Sequence, residues 1–574
     1  MTTKSRVLVN PAAIEVEHRH VGGLPVVNAV LGRLGVDELL SAYLPQPDQR
    51  VELSSARAIG VLIRNLVVGR EPLYGLSAWA GRYEPDLVGL AAGEAALLND
   101  DRVGRALDEL FLSDRASLLT ALSLAAIRVY RIDCSELHND STSLALYGAY
   151  AEATGTRRGG VRPAMPARGH SKDHRPDLLQ LVWILTVSAD GTVPLSYRLA
   201  DGSTEDSTTH VGTWDDLVKL LGRADFIYVA DCKLATREAM GHIVNHHGRF
   251  LTVLPRTRKE DEAGRAWLAG GGIGWEEIVR SPGQRRSDPD VVYWAVEAPA
   301  CSAEGLRICW IRSSQKRGID AAARTDRIER ASAGLAELKT RIGSSRCQMK
   351  TRAAIEAAAS AVVAQAGAAR WVRFEVGETL EVAHRQERRG RPGAATRYRR
   401  IETSRFSLSF TIDHDAVAYD AASDGCFPFV TTEREATPAE LLRIYKAQPH
   451  LERRHATFKG VIPAAPLMLK SDRRIDALGF CLYVALLVHA LVERELRRAM
   501  TAKKITALPL YPEERDCKMP TAARVFELLD PLTRTFVRHD HRVLAVADPT
   551  LSALQERLLN LLGVPHSAYQ TPSS

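Results

Sequence analysis

The stretch Tyr445-Lys-Ala-Gln448-Pro-His-Leu-Glu452-Arg-Arg-His-Ala-Thr-Phe-Lys459 sets the reading of the whole chain. Offsets of three, seven and fourteen from Tyr445 bring Gln448, Glu452 and Lys459 close to one stripe of a helix. A stripe that carries a phenol, an amide, a carboxylate and an ammonium is either a solvated face or a site. Two aspartates elsewhere favour a site. Asp140, in Glu-Leu-His-Asn-Asp-Ser-Thr, and Asp231, in Asp-Phe-Ile-Tyr-Val-Ala-Asp-Cys-Lys, each close an apolar, strand-like run. Carboxylates at the ends of adjacent buried strands converge, and a third from a nearby helix completes a cage for hard divalent cations.

Outward from this stretch, the chain divides into five regions. Residues 1–130 carry helix-period apolar patterns, clearest over Ser54–Val68 and Asp101–Tyr130, with Asn99-Asp100 as an N-cap before the second. They predict a helical domain that either binds DNA ends or serves as a scaffold or dimer contact. In residues 131–260, strand-like runs fall at Ile132–Leu137, Leu178–Val187, Val193–Leu199, Phe226–Ala230 and Phe250–Leu254. Helical patterns at Thr209–Leu221 and Ala235–Val244 separate the later ones. Three strands in series, then alternating helix and strand, is the order of an α/β, ribonuclease-H-like core.

The gap from residue 255 to Glu452 (452 − 255 = 197 residues) is far too long for a loop. It predicts an α+β insertion domain over 261–420, with helical spacing at Asp320–Gln365 and strands around a basic loop at Trp371–Tyr419. The core resumes over 421–500, with a strand at Phe427–Thr431 and the signature helix. Thr437 as N-cap, Pro438 and Glu440 open that helix, and Pro449 predicts a kink near Gln448. A long helix follows from Ser471 to Met500. Residues 501–574 form a helical C-terminal region that ends in the stretch Leu551–Leu562.

The pattern Tyr445-x2-Gln448-x3-Glu452-x6-Lys459 resembles the Tyr-x2-Arg-x3-Glu-x6-Lys signature of bacterial insertion-sequence transposases of the Asp-Asp-Glu class, with Gln in place of the usual Arg. Leu98-Asn-Asp-Asp-Arg102, His170-Ser-Lys-Asp-His-Arg-Pro-Asp-Leu178 and Leu491-Val-Glu-Arg-Glu-Leu-Arg497 are similar to segments of the subgroup with a long helical N-terminal region. The resemblance implies a DNA transposase that cleaves at terminal inverted repeats and transfers 3′ ends to target DNA. It implies Asp140, Asp231 and Glu452 as catalytic ligands of two Mg²⁺ or Mn²⁺ ions, with Asp140 bridging both, and a homodimeric synaptic complex in the bacterial cytoplasm at the nucleoid. The residues leave two other readings open: a DNA-binding relic that has lost catalysis, for which Gln448 is the sign, and a metal-dependent nuclease without strand transfer.

Two ions held by carboxylates suit phosphodiester cleavage, which needs an activated water and charge relief on the phosphate oxygens. Lys459 and Tyr445 are placed to meet the DNA end, whereas Gln448 lacks the charge and fork of an arginine. Arg453 and Arg454 on the same helix are either substitutes for it or two exposed arginines, and Lys172 and Arg175 gather phosphate donors before the second strand. The run from Arg385 to Arg400 holds seven arginines, Arg388, Arg389, Arg397, Arg399 and Arg400 among them, and one Glu. So one-signed a loop reads as a double-stranded DNA contact.

Composition agrees without deciding. Hydrophobic residues make up 45% and charged residues 25%, and 76 basic against 69 acidic residues leave a net charge of +7. Eight scattered cysteines without a Cys-x-x-Cys pair argue against structural zinc and disulfides. The apolar run Ala477–Val492 is short for a membrane span and reads as a buried helix. No phosphate-cradling Gly-x-x-x-x-Gly-Lys loop is present, which excludes nucleotide hydrolysis of that type.

Overall fold

The computed structural model describes residues 14–46, 52–151, 153–283, 288–342, 344, 347–461, 469–539 and 542–571. Strand β1 (Ile14–His20) leads to helices α1 (Leu24–Leu34), α2 (Val36–Tyr43), α3 (Ser55–Val68), α4 (Leu76–Ala80), α5 (Asp100–Leu112) and α6 (Arg115–Tyr130). Next come β2 (Glu136–Leu146), β3 (Leu179–Ser188), β4 (Pro194–Ala200), α7 (His210–Leu221), β5 (Ile227–Val229), α8 (Arg237–Asn245) and β6 (Arg249–Val253). They are followed by α9 (Lys259–Ala269), β7 (Glu276–Ser281), β8 (Val291–Glu297), β9 (Arg307–Ser313), α10 (Ser314–Ile342) and α11 (Arg352–Ala366). The strands β10 (Val372–Gln386) and β11 (Tyr398–Ile412), helix α12 (His414–Ala421) and β12 (Cys426–Thr431) lead to α13 (Pro438–Tyr445) and α14 (Gln448–Ala456). The chain closes with α15 (Asp472–Ala502), α16 (Ala522–Leu529), β13 (Thr533–His539), β14 (Arg542–Ala547) and α17 (Ala553–Leu562). Two compact units result: residues 1–252 with 443–574, and residues 253–442, the latter wider than the expected 261–420.

In the first unit, β2, β3 and β4 pair antiparallel in series, while β5 joins β2, and β6 joins β5, in parallel. The strand order is β4-β3-β2-β5-β6. β3 is buried almost throughout, which is why it reads as an unbroken apolar run. β2 departs from the expectation. It does not end at Asp140 but continues to Leu146, because its polar residues find partners inside the protein. Asn139 Nδ2 donates to Thr186 Oγ1 (2.9 Å), Ser141 Oγ donates to Asp206 Oδ1 (2.6 Å), and the Lys172 backbone N–H donates to Ser143 Oγ (3.0 Å). Satisfied this way, buried polar side chains do not stop a strand.

The two ends of the chain are not purely helical, as the sequence reading had them. β1 pairs antiparallel with β13, and β13 with β14, so segments about 500 residues apart share one sheet. The expected helix Asp101–Tyr130 is two helices bent by 88° at Ser113-Asp114, where Asp114 accepts the Ser117 N–H and caps α6. Helix α15 is long and apolar enough to cross a membrane, yet 94% of its most apolar stretch is buried inside the protein.

α15 also holds an aromatic column. Tyr483 stacks on Tyr197 (4.9 Å between centroids), Tyr197 on Trp183 (4.7 Å), and Trp183 on Phe458 (4.3 Å). Each such pair contributes about 0.5–1.5 kcal/mol beyond its burial. The column fixes the turn that follows α14 against β3 and β4.

In the second unit, β12, β9, β8 and β7 pair antiparallel in that order. Ala331, Leu335 and Leu338 of α10 pack with Ile355, Ala359 and Val363 of α11 on Val372, Val376 and Leu408. That core anchors a long hairpin. β10 and β11 pair from Val372↔Ile412 to Gln386↔Tyr398, 15 residues each, a reach of roughly 50 Å at about 3.3 Å per residue. Where a basic loop was expected, the arginine run occupies the tip of this arm.

Candidate active site

The register of β2 on β5 brings two carboxylates together. His138 is the partner of Val229, so Asp140 on β2 and Asp231, two residues past the end of β5, come near each other, and the charge of Asp140 bears on Asp231. Thr252 Oγ1 on β6 donates to the Asp231 carbonyl (2.6 Å), and Asp231 Oδ1 accepts the Lys233 N–H (3.0 Å), capping a short 3₁₀ turn. Asp231 is thus both a cap and a neighbour of Asp140.

Lys172 lies on this pair. Its Nζ reaches Asp140 Oδ1 (3.3 Å), Asp206 Oδ2 (3.5 Å) and Ser141 Oγ (3.1 Å), and also donates to the Ser141 carbonyl. Lys172 was expected to face DNA phosphate; here its charge is spent on carboxylates. Asp206 did not stand out in the sequence because it sits in the polar turn Gly202-Ser-Thr-Glu-Asp-Ser207, six residues past the end of β4 and not directly after an apolar run.

The signature segment is broken where Pro449 predicts. α13 ends at Tyr445, α14 starts at Gln448 with the proline in its first turn, and Thr457–Val461 forms a π-helical turn. Tyr445, Gln448, Glu452 and Lys459 therefore do not share one continuous helical stripe. Gln448 corrects the expectation most clearly, being buried with both ends of its amide taken up inside the protein. Its Nε2 donates to the Asn139 carbonyl (2.9 Å), and its Oε1 meets His138 Nδ1 (2.8 Å). His138 Nε2 in turn meets Glu136 Oε1 (2.9 Å). An arginine here would bring a charge into a place that a neutral amide fills.

Behind α14, the buried Arg454 guanidinium pairs with Glu493 (2.7 Å) and donates to the Thr192 and Gly191 carbonyls. With Gln448 on Asn139 and His455 Nε2 3.6 Å from Asp140 Oδ2, the helix face between them, which carries Glu452, lies along β2 beside Asp140. Glu452 itself is exposed. Tyr445 senses all three acids. Burial raises its phenol well above the ordinary value, and the charges of Asp231, Asp140 and Glu452 add to the rise.

The remaining expected DNA contacts are scattered. Arg453 is exposed. Lys459 pairs with Asp173 (2.7 Å) and Arg175 with Asp177 (2.7 Å). Arg388, Arg389, Arg397, Arg399 and Arg400 are exposed on the arm of the second unit, with Arg400 paired to Glu402 (2.7 Å).

Burial pushes the Asp140 carboxyl above its ordinary 3.8, and the Lys172 ammonium offsets only part of that. Asp231 is raised by burial too, with the charge of Asp140 adding and the Lys233 N–H opposing. Burial alone would lower Lys172, but Asp140 and Asp206 carry it above 10.5. His455 is pushed down to about 3 by burial, so its approach to Asp140 is that of a neutral ring and not an ion pair.

Asp231→Asn is accordingly expected to raise the melting temperature at neutral pH. A carboxyl whose folded pKa lies above its unfolded value makes the native state bind more protons, so stability falls as pH rises through that interval. Above the raised value the cost is fully present and Asn removes it. Below 3.8 both states are protonated and the gain disappears. Thermal melts from about pH 3 to pH 7 measure this, and an unchanged or lower melting temperature at neutral pH contradicts it.

The donors suit a hard divalent cation, since Asp140, Asp231 and Glu452 offer oxygen. Among the described residues, however, no three His, Cys, Asp or Glu side chains are close enough together to grip one ion. The Lys172 ammonium holds Asp140 and Asp206 instead.

A family model described as a domain of unknown function (DUF4277) matches residues 16–124. None of the curated proteins matches the chain. Among solved structures, the chain is similar to a cryo-EM structure of a piggyBac transposase synaptic complex with hairpin DNA, at 9% identity and a TM-score of 0.25. That match covers 50% of this chain and 56% of the other, so the chain spans little more than half of the protein it matches.

Proposed function

We propose that the chain is a DNA transposase of the Asp-Asp-Glu class, with a ribonuclease-H-like core in its first unit. The single observation that carries this reading is the nearness of Asp140 on β2 to Asp231 just past the end of β5, with the Glu452 helix packed along β2. The strand order β4-β3-β2-β5-β6, antiparallel and then parallel, supports the core assignment. The signature residues Tyr445, Glu452 and Lys459 support the subgroup.

In this reading Asp140, Asp231 and Glu452 hold two divalent ions, Mg²⁺ or Mn²⁺, which when bound supply an activated water and charge relief at the scissile phosphate. Lys172 balances the charge of Asp140 and Asp206, the carboxylates that would otherwise meet a cation. Thr252 and the Lys233 N–H keep Asp231 oriented. Gln448 and Arg454 hold α14 so that Glu452 stays beside β2. The arginine arm grips phosphates of double-stranded DNA, and two copies of the chain bring two transposon ends together.

The experiment incubates the purified chain with labelled DNA from the flanks of its reading frame, a target plasmid and Mg²⁺. Nicked ends joined to the plasmid are the expected product. Nicking without joining would reduce the reading to a nuclease, and binding without nicking would reduce it to a DNA-binding relic.

A further inference from the structure

The arm of the second unit carries its charge against itself. Its ladder sets Arg385 opposite Arg399 and His384 opposite Arg400. Like charges directly opposite each other on a ribbon are destabilising, and a two-stranded ribbon is marginal on its own. Little inside the chain offsets this. Of the seven arginines from Arg385 to Arg400, Arg400 is the one in an ion pair among the described residues, with Glu402. The cover of α10 and α11 ends near Phe406, and Leu380 and Val382, next along the same face, are exposed. The outer half is thus a bare cationic ribbon, and an anionic partner from outside relieves its repulsion.

Its apex differs from a simple phosphate clamp. The ladder closes with the Glu387 N–H donating to the Arg397 carbonyl (3.0 Å). Beyond that rung, Thr396 donates its N–H to the Gly393 carbonyl (3.0 Å) and accepts the Gly393 N–H at Oγ1 (2.8 Å), which holds the turn. Pro392, Ala394 and Ala395 stand exposed at this turn, with Arg391 beside Pro392 and further arginines on both strands behind. An apolar apex gains nothing from phosphates. It fits between stacked bases, where a proline wedge unstacks one step from the minor groove while arginines meet the negative potential of that groove.

We propose that the arm enters the minor groove of double-stranded DNA with Pro392 wedged between base pairs, and that the chain thereby kinks the DNA it binds. The proposal rests on the reading of the arm as a DNA contact and adds the groove and the deformation. A wedge of this kind bends the duplex toward the major groove by roughly 20–90°. The sequence shows the apex as Gly390-Arg-Pro392-Gly-Ala-Ala395, which reads as a hinge until the ribbon that carries it is seen.

The test binds the full chain to an A·T-rich duplex with a donor fluorophore at one end and an acceptor at the other. Wild type is expected to raise energy transfer on binding. It is expected to lose about tenfold or more in affinity when netropsin fills the minor groove, and little when methyl green fills the major groove. Pro392→Ser, at an exposed turn outside the ladder, is expected to melt as wild type does and to bind the duplex nearly straight. Binding by wild type without a rise in energy transfer, a rise that Pro392→Ser retains in full, or displacement by methyl green alone overturns the wedge and leaves the DNA contact standing. Failure of wild type to bind any duplex, or full binding after Arg388, Arg389, Arg397, Arg399 and Arg400 are changed to Ala, overturns the DNA-binding arm beneath it.

Discussion

Asp140→Asn is expected to lower strand cleavage by on the order of 10³-fold or more while DNA affinity stays within about twofold of wild type. The amide keeps the shape of the side chain but removes the charge that would hold cations in the proposed site. Asp140 occupies the middle of β2, paired with Leu185 of β3, so the backbone that presents it does not depend on its charge. The substitution also relieves the burial cost of the carboxylate, and the variant is expected to stay folded. Lys172 loses one partner and retains Asp206. Gel shift and cleavage of the same labelled fragment measure both quantities. Cleavage near the wild-type rate would remove Asp140 from the chemistry.

Changing Arg388, Arg389, Arg397, Arg399 and Arg400 together to Ala is expected to weaken DNA binding and flatten its salt dependence. Each lost phosphate contact lowers the log–log slope by roughly 0.9, so the five together lower it by up to about 4.5. These arginines lie at the end of an arm held at its base by the packing of α10 and α11, far along the hairpin from that core. Their loss therefore leaves the fold of the second unit in place. Affinity is expected to fall alike for end DNA and unrelated DNA, because phosphate contacts carry little sequence information. Equilibrium binding over a series of salt concentrations measures the slope. An unchanged slope would mean that the arm does not touch DNA.

The sequence was legible where structure is local. β3 and β4 fall within a residue or two of the expected runs, since both are apolar segments bounded by turns. The start of α5, with Asn99 accepting the Arg102 N–H, follows from a cap visible in the sequence. The break at Tyr445–Gln448 follows from Pro449.

Legibility failed where a residue's meaning depends on distant partners. The polar half of β2 reads as the end of a strand until Thr186, Asp206 and Lys172 are seen to satisfy it. β1 is rich in charge, and its partner β13 lies across nearly the whole chain. Gln448 reads as a substitute for a DNA-facing arginine, yet its contacts are to His138 and Asn139, more than 300 residues earlier. Lys172 and Arg454 are cations whose carboxylate partners no local pattern reveals.

Anomalous diffraction from crystals of the full chain soaked in Mn²⁺ tests the central claim most directly, because it asks whether the three carboxylates hold cations at all. The predicted result is two peaks about 3.5–4 Å apart among Asp140, Asp231 and Glu452, with the Lys172 ammonium withdrawn from Asp140. A map without a peak at Asp140, with Lys172 still lying against it, would contradict the account.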